Sequence, residues 1–106
     1  MDAAIRALAE PRRRAILELI RNRELAAGEI AAHFDVTRPA ISQHLTVLRE
    51  AALVTERRDG ARRLYRADPA GLLGLKQFID SLWATRLAKL KDAAEADAAT
   101  HPTKGR

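Results

Sequence analysis

The chain has 106 residues, 47% hydrophobic and 31% charged, and its 19 Lys and Arg against 14 Asp and Glu leave a net charge of +5. That length holds one domain with one modest core, no apolar stretch approaches the roughly 20 residues that span a bilayer, and the N-terminus Met1-Asp2-Ala3-Ala4-Ile5-Arg6 lacks the order of an export signal, so a cytoplasmic location is expected. There is no cysteine, which excludes disulfides, thiolate metal ligands, thiol redox sensing and cysteine nucleophiles. A chain this short and this charged often completes its core by dimerising, because small domains bury too little surface alone.

Asp2 can cap a short helix through Ala9, with Ile5 and Leu8 on one face. Pro11 ends it and suits the first position of a second helix running to about Asn22, lined by Ile16, Leu17 and Ile20. Arg12, Arg13 and Arg14 fall in the first turn of that helix, where positive charge opposes the helix dipole. Two readings stand for them, a phosphate contact or a solvated basic face. A third, short helix is predicted over Ala26–Phe34, with Ile30, Ala31 and Phe34 on its apolar side. After the turn Asp35-Val36-Thr37, a fourth helix runs from Arg38 to Ala51, with Thr37 as N-cap, Pro39 in the first turn, and Ile41, Leu45, Leu48 and Ala52 at helical spacing. A short helix, a tight turn and a capped helix with a polar face form a helix-turn-helix.

Leu53 to Arg57 and Arg62 to Ala67 flank Asp59-Gly60, a strong hairpin signal because Gly accepts positive φ without strain. This is a β-wing over residues 53–67 with an arginine-rich tip. Arg38 to Arg66 hold seven arginines against Glu50, Glu56 and Asp59, so most of the excess charge is local, and the guanidinium fork matches phosphate and guanine edges. Asp68 then caps a last helix that starts at Pro69 and runs to about Ala94. Its stripe of Leu72, Leu75, Ile79, Leu82 and Leu90, joined by Phe78, Trp83 and Leu87, is wider and longer than a small domain can cover, so it should pair with a copy of itself. The expected organisation is a winged helix-turn-helix and dimerisation domain over 1–94, in the order α-α-α-α-β-β-α, and a flexible tail over 95–106.

Leu8-Ala9-Glu10-Pro11-Arg12-Arg13-Arg14-Ala15-Ile16-Leu17, then Ser42-Gln43-His44-Leu45 continuing to Leu48-Arg49-Glu50-Ala51, then Arg57-Arg58-Asp59-Gly60, resemble the ArsR family of bacterial regulators over about Ile5 to Leu90. Within that family the chain looks most like an autorepressor branch without a metal box. The resemblance implies a dimeric repressor that pairs through its outer helices, places its fourth helix in the major groove and touches the flanking backbone with its wing. It also implies, in many members, thiolates in the third helix or a carboxylate and histidine set on the last. Here Ala26 and Ala27 stand where cysteines would, and the last helix offers Asp80 with no histidine before His101, so neither metal nor cofactor is expected. Two positions depart from the family's glycines, Asp35 and Ala52; a left-handed Ala costs roughly 1 kcal/mol, so the fourth helix is expected to end differently.

The expected partner is double-stranded DNA, bound at an inverted repeat by a homodimer. Thr37, Arg38, Pro39, Ser42, Gln43 and Thr46 are the candidates on the recognition helix, Arg38 matching guanine and Gln43 adenine. His44 is read as bridging the third and fourth helices. In the wing, alternation lets about half the arginines reach DNA; Arg58 and Arg62 are chosen, while Arg57 and Arg63 pair with Glu56 or lie on the sheet. Ala27 and Gly28 offer backbone N–H groups to a phosphate. Ile5, Leu8, Leu75, Phe78, Ile79, Leu82, Trp83 and Leu90 form the expected dimer interface, where Trp83 and Phe78 line either ordinary dimer core or a pocket for a small apolar effector. Catalysis is not expected, since Ser42 and His44 at i, i+2 do not face each other on a helix. The competing readings are a winged-helix module that docks RNA or a protein, and a repressor of the same family with an unrecognised metal or organic effector.

Overall fold

The structure, a computed structural model, describes residues 1–100, with side chains for all of these except 85 and 97–100. Its elements are α1 (Asp2–Ala9), α2 (Pro11–Leu19), β1 (Leu25–Ala26), α3 (Ala27–Ala31), α4 (Arg38–Glu50), β2 (Val54–Asp59), β3 (Arg62–Ala67) and α5 (Pro69–Thr100). The fold is mainly helical with a small antiparallel sheet in the order β1-β3-β2. This is the predicted winged helix-turn-helix with one strand more. Among the described residues no helix is long and apolar enough to cross a membrane.

The chain divides into two compact units, Met1–Leu75 and the stretch from Lys76 onward. In the first, Ile41, Leu45 and Leu48 of α4 are fully buried among Ile16, Ile20, Ile30 and Leu53. α1 turns in Ala4 and Ala7 and leaves Ile5, expected at a dimer interface, 45% exposed; small side chains bring its backbone close to its neighbours. Leu75 also lies in this core, 6% exposed, so its side chain is not available to a second copy as the sequence reading expected.

Three boundaries differ from expectation, each for a local reason. α2 stops at Leu19 instead of Asn22, and the Ile20 carbonyl accepts from the Ala67 N–H at 3.0 Å, tying the helix end to the sheet. α3 spans only Ala27–Ala31, since His33 and Phe34 close tight turns onto Ile30 and Ala31. α5 continues to Thr100 rather than Ala94: beyond Leu90 the apolar periodicity fades, but alanine-rich sequence keeps the highest helix propensity. The rest of the expected tail, 101–106, lies outside the described residues. As predicted, Asp68 caps α5, its Oδ1 accepting from the Ala70 N–H at 3.0 Å.

α4 ends in a Schellman motif, the glycine-type ending that a chain with Ala52 at the left-handed position was expected to avoid. The Leu53 N–H donates to the Leu48 carbonyl and the Ala52 N–H to that of Arg49, both at 3.0 Å, and Ala52 takes φ +62°. Satisfying two orphaned carbonyls outweighs the strain on one alanine. α5 starts against this corner. A Cβ at Gly71 would be driven into the Ala52 carbonyl oxygen, so the close approach requires glycine there.

Two substitutions separate these effects in urea unfolding. Ala52→Gly relieves the positive φ and should stabilise the fold by about 1 kcal/mol, whereas Gly71→Ala should destabilise it by about 2 kcal/mol through overpacking. An unchanged midpoint for Gly71→Ala would show that the corner can give way.

Candidate nucleic-acid interface

Burying Ile41, Leu45 and Leu48 turns the opposite side of α4 outward. Thr37, Arg38, Pro39, Ser42, Gln43 and Thr46 are all exposed. The Thr37 Oγ1 accepts from the Ala40 N–H at 3.3 Å, so this residue serves as the cap. The Thr46 hydroxyl donates to the Ser42 carbonyl at 3.0 Å, which leaves its oxygen lone pairs for an incoming donor. Arg38 forms no hydrogen bond or ion pair among the described residues; its guanidinium lies over Gly28, where an added Cβ would stand 3.9 Å away. One residue of this face was missed. Val47, 37% exposed, follows Gln43 by four positions, and helical spacing alone places it on that side.

The wing turns on Gly60-Ala61, one residue later than Asp59-Gly60. Gly60 carries φ +64° and Ala61 has no positive φ, the pattern of a type II′ turn. The register then pairs Arg57 with Leu64, Arg58 with Arg63 and Asp59 with Arg62, so Arg57 and Arg62 share the face of Leu64, and Arg58 and Arg63 share the other. The two faces differ in chemistry. Arg57 grips Glu24, Nε at 3.0 Å and Nη2 at 2.8 Å, and Arg62 Nη2 donates to Glu29 Oε1 at 2.6 Å. Arg58 and Arg63 form no hydrogen bond or ion pair among the described residues. This corrects the sequence reading in two places: Arg62, chosen for DNA, is held by Glu29, and Arg57 pairs with Glu24 instead of Glu56, whose carboxylate faces Arg49 at 3.8 Å.

Both carboxylates sit below the usual carboxylate range. For Glu24 the chief cause is the hydrogen bond from Arg57; for Glu29 it is the hydrogen bond from the Ala26 N–H at 2.8 Å. Glu29 thus brings negative charge to the start of α3, where Ala27 is buried and Gly28 half-buried. Arg62 neutralises Glu29 and the Arg38 guanidinium lies over Gly28, so charge here does not oppose a phosphate, and burial of Ala27 leaves Gly28 the more accessible of the two expected contacts. Between the start of α4 and the wing lies a cleft of about 270 Å³ whose walls include Arg38, Ser42, Arg62, Arg63 and Tyr65. The Tyr65 phenol is pushed up by burial and by the nearby Glu56 and stays protonated as a donor.

Of the three arginines of α2, Arg14 stays exposed, while Arg12 and Arg13 are half-buried against the fold. α1 ends with orphaned carbonyls, and Arg13 Nε donates to the Ala7 carbonyl at 2.6 Å, Arg13 Nη2 to that of Arg6 at 3.2 Å, and Arg14 Nη1 to that of Leu8 at 2.7 Å. Cations at a helix C-terminus satisfy both the acceptors and the dipole. Arg12 lies over the Phe34 ring, 5.5 Å from its centroid. His44 meets Arg13 Nη1 through Nδ1 at 3.4 Å, reaching α2 where the sequence reading had it reach the third helix. Its pKa is lowered by burial and then by the Arg13 charge, so the imidazole stays neutral and accepts.

A helix-turn-helix whose second helix is pinned by one face and bare and polar on the other, beside an arginine-bearing hairpin, defines a DNA-binding transcriptional regulator. A profile of the family described as "Bacterial regulatory protein, arsR family" matches residues 10–56. The HTH-type transcriptional regulator Rv2034 of Mycobacterium tuberculosis is 48% identical over 86 residues, covering 81% of this chain and 80% of that protein. The transcriptional repressor SdpR of Bacillus subtilis is 38% identical over 60 residues, 57% of this chain and 67% of that one. Among solved structures, a "possible transcriptional regulator for arsenical resistance" superposes with a TM-score of 0.71 at 45% identity, over 88% of this chain and 96% of the other, and an ArsR-like regulator from Rhodococcus with 0.73 at 30%, over 88% and 91%. The chain belongs to the ArsR family of bacterial transcriptional regulators.

The contact between His44 and Arg13 gives a pH dependence with a definite sign. The folded-state pKa of His44 lies below the ordinary 6.5, so the unfolded chain takes up the proton first as pH falls. The stability that neutral His44 contributes is complete above 6.5 and is lost as pH drops below that and through the folded value. Unfolding midpoints should fall between about pH 7 and 5, and His44→Gln should flatten that slope; an unchanged slope would remove His44 as its source.

Proposed function

We propose that the protein is a homodimeric repressor that occupies an inverted-repeat operator without a metal effector. The observation that carries this is the outer face of α4, where Arg38, Pro39, Ser42, Gln43 and Thr46 are exposed opposite a fully buried apolar stripe. In the major groove Arg38 suits guanine O6 and N7, Gln43 suits adenine N6 and N7, and Val47 a thymine methyl, with Ser42, Thr46 and Thr37 completing base or phosphate contacts. Arg58 and Arg63 of the wing reach the flanking backbone. A protein-docking helix would expose an apolar face instead.

Pairing is supported by the apolar side chains left in water. Ile79, Leu82, Trp83, Leu87 and Leu90 of α5 and Ile5 of α1 are each between 41% and 59% exposed, with Leu8 and Phe78 half-buried. Water is a poor neighbour for such a run, and a second copy of the same helix covers it by symmetry. Trp83 lines an open groove with Leu82 and Arg86, which a paired helix would cover. Repression is supported by the relatives named as repressors, which would act by occluding a promoter. Metal independence is supported by the lack of any cysteine and by Ala26 and Ala27, which stand where the resemblance implies thiolate ligands.

Selection of duplexes from a random-sequence pool by the purified chain, with chelator or with zinc, tests the reading. An inverted repeat enriched equally in both conditions is expected; RNA binding in preference to any duplex would overturn it. Gln43→Ala should cost about 1–3 kcal/mol and relax preference at one symmetric pair of positions. Leu82→Glu should give a monomer in sedimentation and weaken operator binding by about two orders of magnitude, as expected when two linked half-site contacts become one.

A further inference from the structure

Of the wing's five arginines, Arg66 lies at the base on the side of Glu24; the four nearer the tip are chemically alike, yet the fold treats them as two pairs. Arg57 and Arg62 lie on one face of the hairpin and each is taken by a carboxylate from outside it, Glu24 just before β1 and Glu29 within α3. Arg58 and Arg63, directly opposite each other, have none. Both ion pairs are substantially solvated, and exposed pairs contribute only about 0–1 kcal/mol to stability. Folding alone therefore gives little reason for them. What they alter is where positive charge is offered.

We propose that Glu24 and Glu29 are specificity determinants: by holding Arg57 and Arg62 they withdraw two charges from indiscriminate phosphate attraction and leave Arg58 and Arg63 as the wing's DNA-facing pair. The proposal rests on the wing meeting DNA. Phosphate neutralisation supplies essentially all non-specific binding, and an operator competes with a vast excess of other sequence. A regulator gains discrimination by shedding charge that attracts every site equally. Glu24 grips Arg57 through two donors, and Glu29 accepts at once from Arg62 and from the Ala26 N–H, so each carboxylate sets the position of its arginine as well as its charge. As positioning residues, the two glutamates also strap the hairpin to either side of β1.

The test measures log K against log salt for the full chain on a scrambled duplex and on a selected operator. Glu24→Gln and Glu29→Gln remove charge while keeping an amide oxygen; at residue 29 that oxygen can still accept from the Ala26 N–H. With two arginines freed in each protomer of the dimer, the double variant should steepen the slope on scrambled duplex by about 4, tighten that binding by up to roughly eightfold per freed arginine at about 0.1 M salt, and shrink the operator-to-scrambled ratio. Arg57→Gln and Arg62→Gln should leave the slope unchanged, while Arg58→Gln and Arg63→Gln, each losing one contact per protomer, lower it by about 2. A slope lowered by Arg62→Gln as much as by Arg58→Gln, or unmoved by the glutamate variants, overturns the proposal. A slope unmoved by all four arginine variants shows instead that the wing does not meet DNA, and the interface reading fails with it. Should a glutamate variant melt early, the arginine series decides alone.

Discussion

One helix has to satisfy two opposed demands, and the rest of the first unit is arranged around it. α1, α2, α3 and β2 all pack against α4, which gives them Ile41, Leu45 and Leu48 and keeps its polar side bare. Every other element reads as a consequence. α1 offers alanines because a larger residue would hold it away, and α2 lends its first-turn arginines to α1 so that a short helix can end beside the core without orphaned carbonyls. The strained alanine after α4 belongs to the same arrangement, since the chain must turn sharply there to start the wing close to the recognition face.

Charge is handled by placement rather than by amount. The seven arginines between Arg38 and Arg66 suggest a broadly positive wing, but strand alternation divides them into sides, and two carboxylates neutralise one side. Arginines outside this segment do structural work: Arg13 and Arg14 act as donors to backbone, and Arg12 as a cation over an aromatic ring. A count of basic residues therefore overstates what a nucleic acid meets. The relevant quantity is the set of guanidinium groups with no hydrogen bond or ion pair among the described residues, here Arg38, Arg58 and Arg63 on the face read as DNA-facing.

Much of this was legible in the residues. Thr37 with the Ile41, Leu45 and Leu48 spacing fixes α4 because capping and periodicity agree, and Asp68-Pro69 does the same for the start of α5. The hairpin was visible from Gly60, although the turn sits one residue later than Asp-Gly implied. That shift matters, since a two-residue loop at Gly60-Ala61 makes Arg63 the neighbour of Arg58; choosing arginines by nearness to the tip selected Arg62 instead. β1 was not legible. Two residues carry no alternation, and Leu25–Ala26 become a strand only because β3 presents an edge to pair with. Leu75 was equally hidden, since a helical stripe does not say where its intramolecular core ends and its outward part begins. The capping role of Arg13 and Arg14 lay beyond reach for a similar reason: a basic first turn looks the same whether its side chains meet solvent or fold back.

The sheet has a further consequence through Leu64. It is buried at 7% exposure yet stands outside the main core cluster, on the same side of the hairpin as the two held arginines. The base of the hairpin is anchored by Val54 and Ala67 in the core, but its outer part is kept in place by Leu64, Tyr65, two ion pairs and a two-residue strand, and two strands alone are marginal in water. Such a segment opens locally at a free energy well below that of global unfolding. Its amide protons will trade with solvent through small excursions of the wing while those of α4 wait for the whole unit to unfold, so the two parts of the DNA-facing surface keep different lifetimes in the free protein.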